Sequence, residues 1–305
     1  MMSKHADTVP HQNDDPTSKN NFDLEQWKQH KQQELEETFQ QLNSATLGSV
    51  QDPDQFRSYL DLQAQLPGLS VSNALLVLTQ RDQPIRELAT YNEWKDRGRA
   101  VRRGENGFKT LASVTYTRAN GSEGTSFKVS RLFDIAQTQG SEQVITPKQS
   151  IDRSTLIRAM VEQSPVEMII QDSVDQAQGA LYDPTKNKIL VRNDLPDVQA
   201  VEVLAREMAL ATLNYLNSPG SGEGKAFISE CTTYLISKYY EQENLSLNSE
   251  PIQPLAESKN PTEIRAVLNQ IRQSFNLLRH RIDRGLNEAI QEAPKPARKH
   301  LEHER

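Results

Sequence analysis

Cysteine and long apolar runs are scarce in this sequence of 305 residues. The single cysteine, Cys231, excludes a disulfide within the chain. No run of about 18 apolar residues is present, which excludes a membrane-spanning helix. The first residues also lack the apolar core of a secretory signal. We therefore expect a cytoplasmic protein that has no membrane partner.

Histidine is scarce in a way that bears on metal binding. The six histidines lie at positions 5, 11, 30, 280, 300 and 303, outside the folded middle that we expect between residues 50 and 250. With one cysteine, the sequence holds few of the ligands that Zn²⁺ prefers. We expect neither a metal nor another cofactor.

Positive charge is concentrated in one stretch, although the whole chain carries a net charge of −6. Between Tyr91 and Arg131, nine basic residues stand against four acidic ones, a local excess of five. A groove lined by cations, with aromatic or amide side chains beside it, can bind the phosphate backbone of a nucleic acid without recognising the base sequence. The alternative interpretation is a solvated face of a sheet.

The same stretch predicts a twisted antiparallel ribbon. Apolar and polar residues alternate from Phe108 to Tyr116 and again from Phe127 to Phe133, the period of half-buried strands. Residues 119–124 supply the turn chemistry of a hairpin connection. The basic residues therefore lie on and beside this ribbon.

Three helices are predicted before the ribbon. The first is amphipathic, starts near Phe22 and ends before Gly48. The second runs from Asp54 to Gln65. The third is capped by Ser70 or Ser72.

Several separated motifs occur in these elements. They are Leu69-Ser70-Val71-Ser72-Asn73, Leu75, Leu76, Gln80, Trp94, Gly98-Arg99, Val101, Gly104-Glu105, Gly107 and Phe133-Asp134-Ile135-Ala136-Gln137-Thr138. In this order they resemble the N-terminal domain of the ArdC-type antirestriction proteins of plasmids and conjugative elements. The resemblance implies a domain that binds single-stranded DNA.

Charge and resemblance together select the candidate DNA contacts. They are Asn73, Gln80, Trp94, Lys95, Arg97, Arg99, Arg102, Arg103, Lys109, Lys128 and Arg131. Trp94 either stacks a base or is partly buried in the core. Asn73 and Gln80 either present amides to DNA or cap and cross-link the fold.

A second informative pattern lies in the helix predicted from Pro196 to Leu216. Residues 204–211 have the frame of a zincin helix, in which two histidines bind Zn²⁺ and the glutamate after the first activates water. Arg206 and Leu210 stand at the two ligand positions, and neither side chain offers a lone pair. A tetrahedral zinc site therefore cannot be built in this frame, and Glu207 is vestigial.

The elements around this helix follow a recognisable order. A helix over residues 151–163 and a strand over 165–171 precede a hairpin over 180–192, and a glycine-rich loop over 218–224 leads to a helix that carries Glu230. This order resembles the metallopeptidase-like C-terminal half of ArdC-type proteins. The resemblance implies that Glu230 occupies the third ligand position, and we expect a catalytically silent pseudo-metallopeptidase.

Arg206 offers a replacement for the lost metal charge. We predict a buried salt bridge between Arg206 and Glu230, because a lone carboxylate in a former metal pocket is costly to keep ionised. The alternative is that Arg206 pairs with Glu202, one turn earlier on the same helix.

The fold class is α+β: N-terminal helices with a twisted antiparallel sheet, then a zincin-like, mainly helical domain with a small sheet and a C-terminal helix. We predict disorder over residues 1–20, a DNA-binding domain over 21–140, a linker over 141–150, a degenerate zincin-like domain over 151–250, a proline-rich linker and helix over 251–292, and a tail over 293–305. Residues 264–282 form an apolar seam for another helix, in this chain or in a partner.

Three functions follow from these patterns. The first is a sequence-nonspecific single-stranded DNA-binding protein of a plasmid or conjugative element, which protects or escorts transferred DNA; the antirestriction role is implied by resemblance only. The second is a scaffold whose C-terminal helix recruits a relaxase or another conjugation protein. The third is a metalloprotease with an unusual metal arrangement.

Overall fold

The protein is described here by a computed structural model, which covers residues 24–140, 151–172, 178–242, 255, 257 and 260–292. Its longer helices are α1 (Leu24–Gln51), α2 (Pro53–Gln65), α3 (Val71–Gln80), α4 (Tyr91–Asp96), α5 (Arg153–Glu162), α6 (Asp197–Tyr215), α7 (Gly222–Tyr239) and α8 (Pro261–Glu292). The predictions for residues 1–20, 141–150 and 293–305 lie outside the described residues.

The strands of the described residues form three small sheets. They are β1 (Leu88–Ala89), β2 (Arg99–Val101), β3 (Phe108–Thr117), β4 (Glu123–Asp134), β5 (Thr138–Gly140), β6 (Glu167–Ile170), β7 (Ala180–Asp183) and β8 (Lys188–Val191). Strand β4 lies between β1 and β3 and pairs with both in antiparallel register, and β2 pairs with β5. In the third sheet β8 is central, parallel to β6 and antiparallel to β7. The α+β class is confirmed.

Local signals start the N-terminal helices where the sequence predicts. Asp52 caps α2 by accepting a hydrogen bond from the backbone N–H of Asp54, with Pro53 at the first helical position. Of the two serines considered for α3, Ser70 is the cap, and it accepts from the N–H of Asn73. Each cap satisfies a backbone donor that the helix itself leaves unpaired.

The predicted end of α1 before Gly48 is wrong. The helix continues through Gly48 to Gln51 and buries Ser49 and Val50. A glycine inside a helix costs only about 1 kcal/mol, and burial of Val50 is worth more than that. The chain leaves the helical path only at Asp52, where the next cap is available.

The larger apolar core of the described residues runs from the N-terminal helices to α8. Leu60 and Leu75 belong to the same buried cluster as Met208, Leu235 and the seam of α8. The seam residues Ile264, Leu268, Ile271, Phe275, Leu278 and Ile282 are all buried. Helix α8 packs on α5, α6 and α7 and also on α1 and α3. The seam is therefore filled within this chain, and the alternative of a partner helix is wrong.

The C-terminal half follows the predicted order of elements. Asp152 caps α5, and Ser221 caps α7 by accepting a hydrogen bond from the N–H of Gly224. Helices α6 and α7 pack together, and β7 lies against α6. Among the described residues, no helix is long and apolar enough to cross a membrane.

Candidate nucleic-acid interface and degenerate metal site

The β3–β4 hairpin separates the predicted cations onto two faces. Residues directly opposite each other in an antiparallel pair point to the same face. Lys109 lies opposite Arg131, and Lys128 lies opposite Ala112. Because successive residues of a strand point to alternate faces and Ala112 is three residues after Lys109, Lys128 points to the face opposite that of Lys109 and Arg131. The inner face packs on α1, where the rings of Phe39 and Phe127 meet edge to face at 6.0 Å. The cations of this hairpin therefore do not form one surface.

On the inner face, three cations surround one carboxylate of α1. Lys31 Nζ lies 2.8 Å from Glu34 Oε2, and Arg131 Nη2 lies 3.8 Å from Glu34 Oε1. The hydrogen bond from Lys31 lowers the pKa of Glu34, and the charges of Lys31, Lys109 and Arg131 lower it further. This cluster keeps a net charge of +2 with one partly buried acid at its centre.

Three other candidate cations are already engaged within the fold. Arg97 pairs with Glu87 at 2.7 Å, and Arg102 pairs with Glu105 at 2.6 Å. Arg99 donates from Nε to Thr138 Oγ1 at 2.7 Å. These arginines position the loops around α4 and β2, so their contribution to a nucleic-acid surface is reduced.

Lys95, Arg103 and Lys128 are exposed, and no hydrogen bond or ion pair joins their side chains to the described residues. Each is a charge that the surrounding protein does not neutralise. Such cations release counterions when a phosphate replaces water at them. They are the basic residues of the stretch best placed to gain from a polyanion.

The amides of Asn73 and Gln80 hold α3 on β3. Asn73 accepts from the N–H of Leu111 at 2.9 Å and donates to its carbonyl at 3.1 Å. Gln80 pairs in the same way with the N–H and carbonyl of Lys109, at 2.8 and 2.9 Å. Both amides thereby satisfy the free backbone edge of β3, which corresponds to the cross-linking interpretation of these residues.

Trp94 is a core residue with 0% of its surface exposed. Its indole Nε1 donates to the carbonyl of Phe133 at 2.8 Å, and the ring packs with Ala89 and Ile135. The sequence favoured partial burial of Trp94, but the side chain is completely buried. The ring therefore has no exposed face on which a base could stack. The alternative in which Trp94 stacks a base is therefore wrong.

Two exposed aromatic side chains of the hairpin lie outside the predicted contacts. Tyr116 on the outer face is 47% exposed, and Phe127 on the inner face is 45% exposed. The guanidinium of Arg118 lies 5.9 Å from the centroid of the Tyr116 ring. The alternation in β3 predicted that Tyr116 is half-buried. The buried core ends near Leu111, and the part of the hairpin beyond it is therefore exposed to solvent.

At the predicted degenerate metal site, Glu207 has a structural role. Its carboxylate is 4% exposed and accepts from the N–H of Tyr182 on β7 at 2.8 Å. Its other oxygen accepts from Arg206 Nε at 3.1 Å. Glu207 therefore joins α6 to β7, and both of its oxygens accept hydrogen bonds from the protein.

The predicted salt bridge between Arg206 and Glu230 is wrong. Arg206 turns along α6 to its neighbour Glu207 and also donates to the carbonyl of Gln178 at 3.4 Å. The alternative pair with Glu202 is absent from the ion pairs of the described residues as well. Glu230 Oε2 is buried without a hydrogen-bond partner there, beside a cavity of about 660 Å³. Burial raises the pKa of Glu230, and the charge of Arg206 offsets this in part.

The residues at this site do not fit a zinc ion. A zincin site needs nitrogen or oxygen donors that converge on one point. The donor positions on α6 hold Arg206 and Leu210, which have no lone pair to give. Glu207 is already paired, and among the described residues no three His, Cys, Asp or Glu side chains form a group that could hold a metal.

No protein-family model and no curated protein sequence matches this chain. Solved structures do. The Mn(II)-bound crystal structure of the antirestriction ArdC protein from the R388 plasmid aligns with a TM-score of 0.51 and 15% identity, over 69% of this chain and 84% of that chain. The metal-free structure of the same protein aligns with a TM-score of 0.49 and 15% identity, over 70% and 85%.

The chain has an ArdC-type fold. At 15% identity the likeness extends to architecture and not to the site. One of the two R388 ArdC structures is Mn(II)-bound.

Proposed function

We propose that this protein binds single-stranded DNA without reading its sequence and acts in antirestriction or DNA transfer of a plasmid or conjugative element. Support comes from the ArdC-type fold and from the basic character of the Tyr91–Arg131 stretch. The strand would be coated or escorted during transfer, shielded from nucleases.

One observation carries the proposal. Lys95, Arg103 and Lys128 are exposed cations without an acidic partner among the described residues, in a chain with a net charge of −6. An acidic protein that leaves these charges open in one segment gains attraction to polyanions there. None of the three lies on a helix long enough to enter a major groove: Lys95 is on the six-residue α4, and Lys128 is on a strand. The expected ligand is therefore a backbone and not a base sequence.

Binding of labelled oligonucleotides tests this proposal. Fluorescence anisotropy should show similar affinities for single strands of unrelated sequence, weaker binding to a duplex, and a steep loss of affinity with salt. A protein that ignores single strands at low salt, or that prefers one duplex sequence, contradicts it.

We further propose that the C-terminal half is catalytically silent. The support is chemical: Arg206 and Leu210 cannot bind a metal, and Glu207 accepts a hydrogen bond from the backbone of Tyr182. Incubation of the purified protein with unfolded protein substrates should give no cleavage that a chelator stops. Chelator-sensitive cleavage that a Glu207→Gln variant loses would restore the enzyme interpretation.

The alternative function is a scaffold whose C-terminal helix recruits a relaxase or another conjugation protein, and such a protein remains a predicted partner. The apolar seam of α8 is not available to it, because the seam residues are buried within this chain. If a pull-down detects binding of a candidate transfer protein, that protein must bind to another surface of this chain.

A further inference from the structure

The outer face of the β3–β4 hairpin combines an open aromatic ring with open positive charge. Tyr116 is 47% exposed there, and Lys128 lies four residues away along the same face, about 13 Å at 3.3 Å per residue. Ser126 is between them, exposed and uncharged. The nearest acidic residue of the hairpin, Glu123, points to the other face because it lies opposite Thr117.

The ring of Tyr116 is held flat by the residue opposite it. Gly124 is its cross-strand partner, and a Cβ at position 124 would lie 2.6 Å from Cζ of the ring. Only glycine therefore allows the ring to lie across β4. One side of the ring covers this backbone, and the exposed half of its surface faces solvent.

Arg118 holds a cation over the ring of Tyr116. Its Nη1 donates to the carbonyl of Glu123 at 2.8 Å and to Ser122 Oγ at 3.3 Å, which anchors the guanidinium to the hairpin turn. From there the guanidinium lies over the ring, 5.9 Å from the ring centroid, a distance that leaves it clear of direct stacking contact. An anchored arginine loses little conformational entropy when a phosphate or a base approaches.

We propose that Tyr116 is a base-stacking residue of the single-stranded DNA site, with Arg118 and Lys128 as its flanking phosphate contacts. This inference rests on the proposed function and names the part of the protein that meets the bases. Bases stack on tyrosine irrespective of sequence, because every base has a π face. Tyr116 is thus an exposed aromatic side chain on which a base can stack, whereas Trp94 is buried and cannot serve this role.

The experiment compares variants on two kinds of strand. Tyr116→Ala and Tyr116→Leu should weaken binding of an ordinary single strand by about 5- to 100-fold, the usual effect of removing one stacking aromatic. Leucine keeps an apolar cover on Gly124 and so separates stacking from folding. Tyr116→Phe should bind like the wild type. Tyr215→Ala, at a 78% exposed tyrosine that ends α6, is the matched control and should change nothing.

A strand of abasic sites supplies the second arm. On that strand the wild type and Tyr116→Leu should bind equally, because only the backbone remains to be bound. If both Tyr116→Ala and Tyr116→Leu stay within about twofold of the wild type on ordinary strands, the inference is overturned. If the wild type itself binds no single strand, the proposed function fails instead, so the two failures are distinguishable.

Discussion

At the scale of single residues, the motifs that carry the ArdC resemblance mostly build the fold. Asn73 and Gln80 pair with the backbone of β3, and Trp94 closes a small core beneath β4. Asp134 accepts from the N–H groups of Arg86 and Ala136. The motif residues are therefore mostly engaged within the fold, and the side chains free to meet a ligand are mostly their less distinctive neighbours.

Glu207 gives a residue-scale prediction about stability. Glu207→Ala leaves the N–H of Tyr182 without its acceptor in a buried place, so the free energy of unfolding should fall by about 1 to 3 kcal/mol. Glu202→Ala, at an exposed acid of the same helix, should change it by less than about 0.5 kcal/mol. Denaturant melts of the two variants decide the matter, and equal stabilities would contradict a structural role for Glu207.

Glu230 gives a prediction about pH. Its folded-state pKa lies above the ordinary value of 4.5 because burial disfavours the carboxylate. The folded protein therefore holds this proton more tightly than the unfolded chain does, and the resulting stability is present at low pH and is lost as pH rises through the raised pKa. Glu230→Gln does not ionise, so it should gain stability relative to the wild type as pH rises from below 4.5 to neutral.

Chemical denaturation at several pH values measures this difference. Glu223→Gln, at an exposed acid in the first turn of the same helix α7, serves as the control for removing one carboxylate. A Glu230→Gln variant that tracks the wild type at every pH, or that loses stability as pH rises, would refute the assignment of a destabilised carboxylate.

At the scale of elements, prediction succeeded where a periodic pattern and a terminal signal agreed. Helices α2 and α3 and the β3–β4 hairpin have both. Helix α4 was missed because six residues carry too little period, although Thr90 and Glu93 form a capping box that the sequence contains. The separation of Lys109 and Lys128 onto two faces needed the strand register, which a count of charges does not contain.

The attachment of α3 to β3 can be tested directly. Asn73→Ala removes a donor and an acceptor from the backbone of Leu111, so we expect a loss of about 1 to 3 kcal/mol in the free energy of unfolding and an unchanged salt slope of DNA binding. Asn92→Ala, at an exposed position of α4, is the control. Unchanged stability together with weaker DNA binding would instead make Asn73 a DNA contact.

At the scale of the whole molecule, α8 joins the two halves of the chain. Its Arg272 donates from Nε to the carbonyl of Leu69 at 2.8 Å, and Asn276 donates to that of Pro67 at 3.2 Å, while its apolar side packs on α5 and α7. The sequence predicted the apolar seam of α8 but left open whether it packs on helices of this chain or on a helix of a partner. Only the assembled core shows that one chain fills it, because the partner surface is built from helices distant in sequence.

The central claim is that open cations of the N-terminal half bind a single-stranded backbone, and the salt dependence of binding tests it most directly. Replacing Lys95, Arg103 and Lys128 together by Ala should flatten the log–log salt slope by about two units, at roughly 0.7 for each phosphate contact on single strands. Replacing Lys225, Arg281 and Arg284 of the C-terminal helices by Ala removes the same charge and should leave the slope unchanged. Equal slopes for the wild type and the Lys95, Arg103 and Lys128 variant would contradict the account.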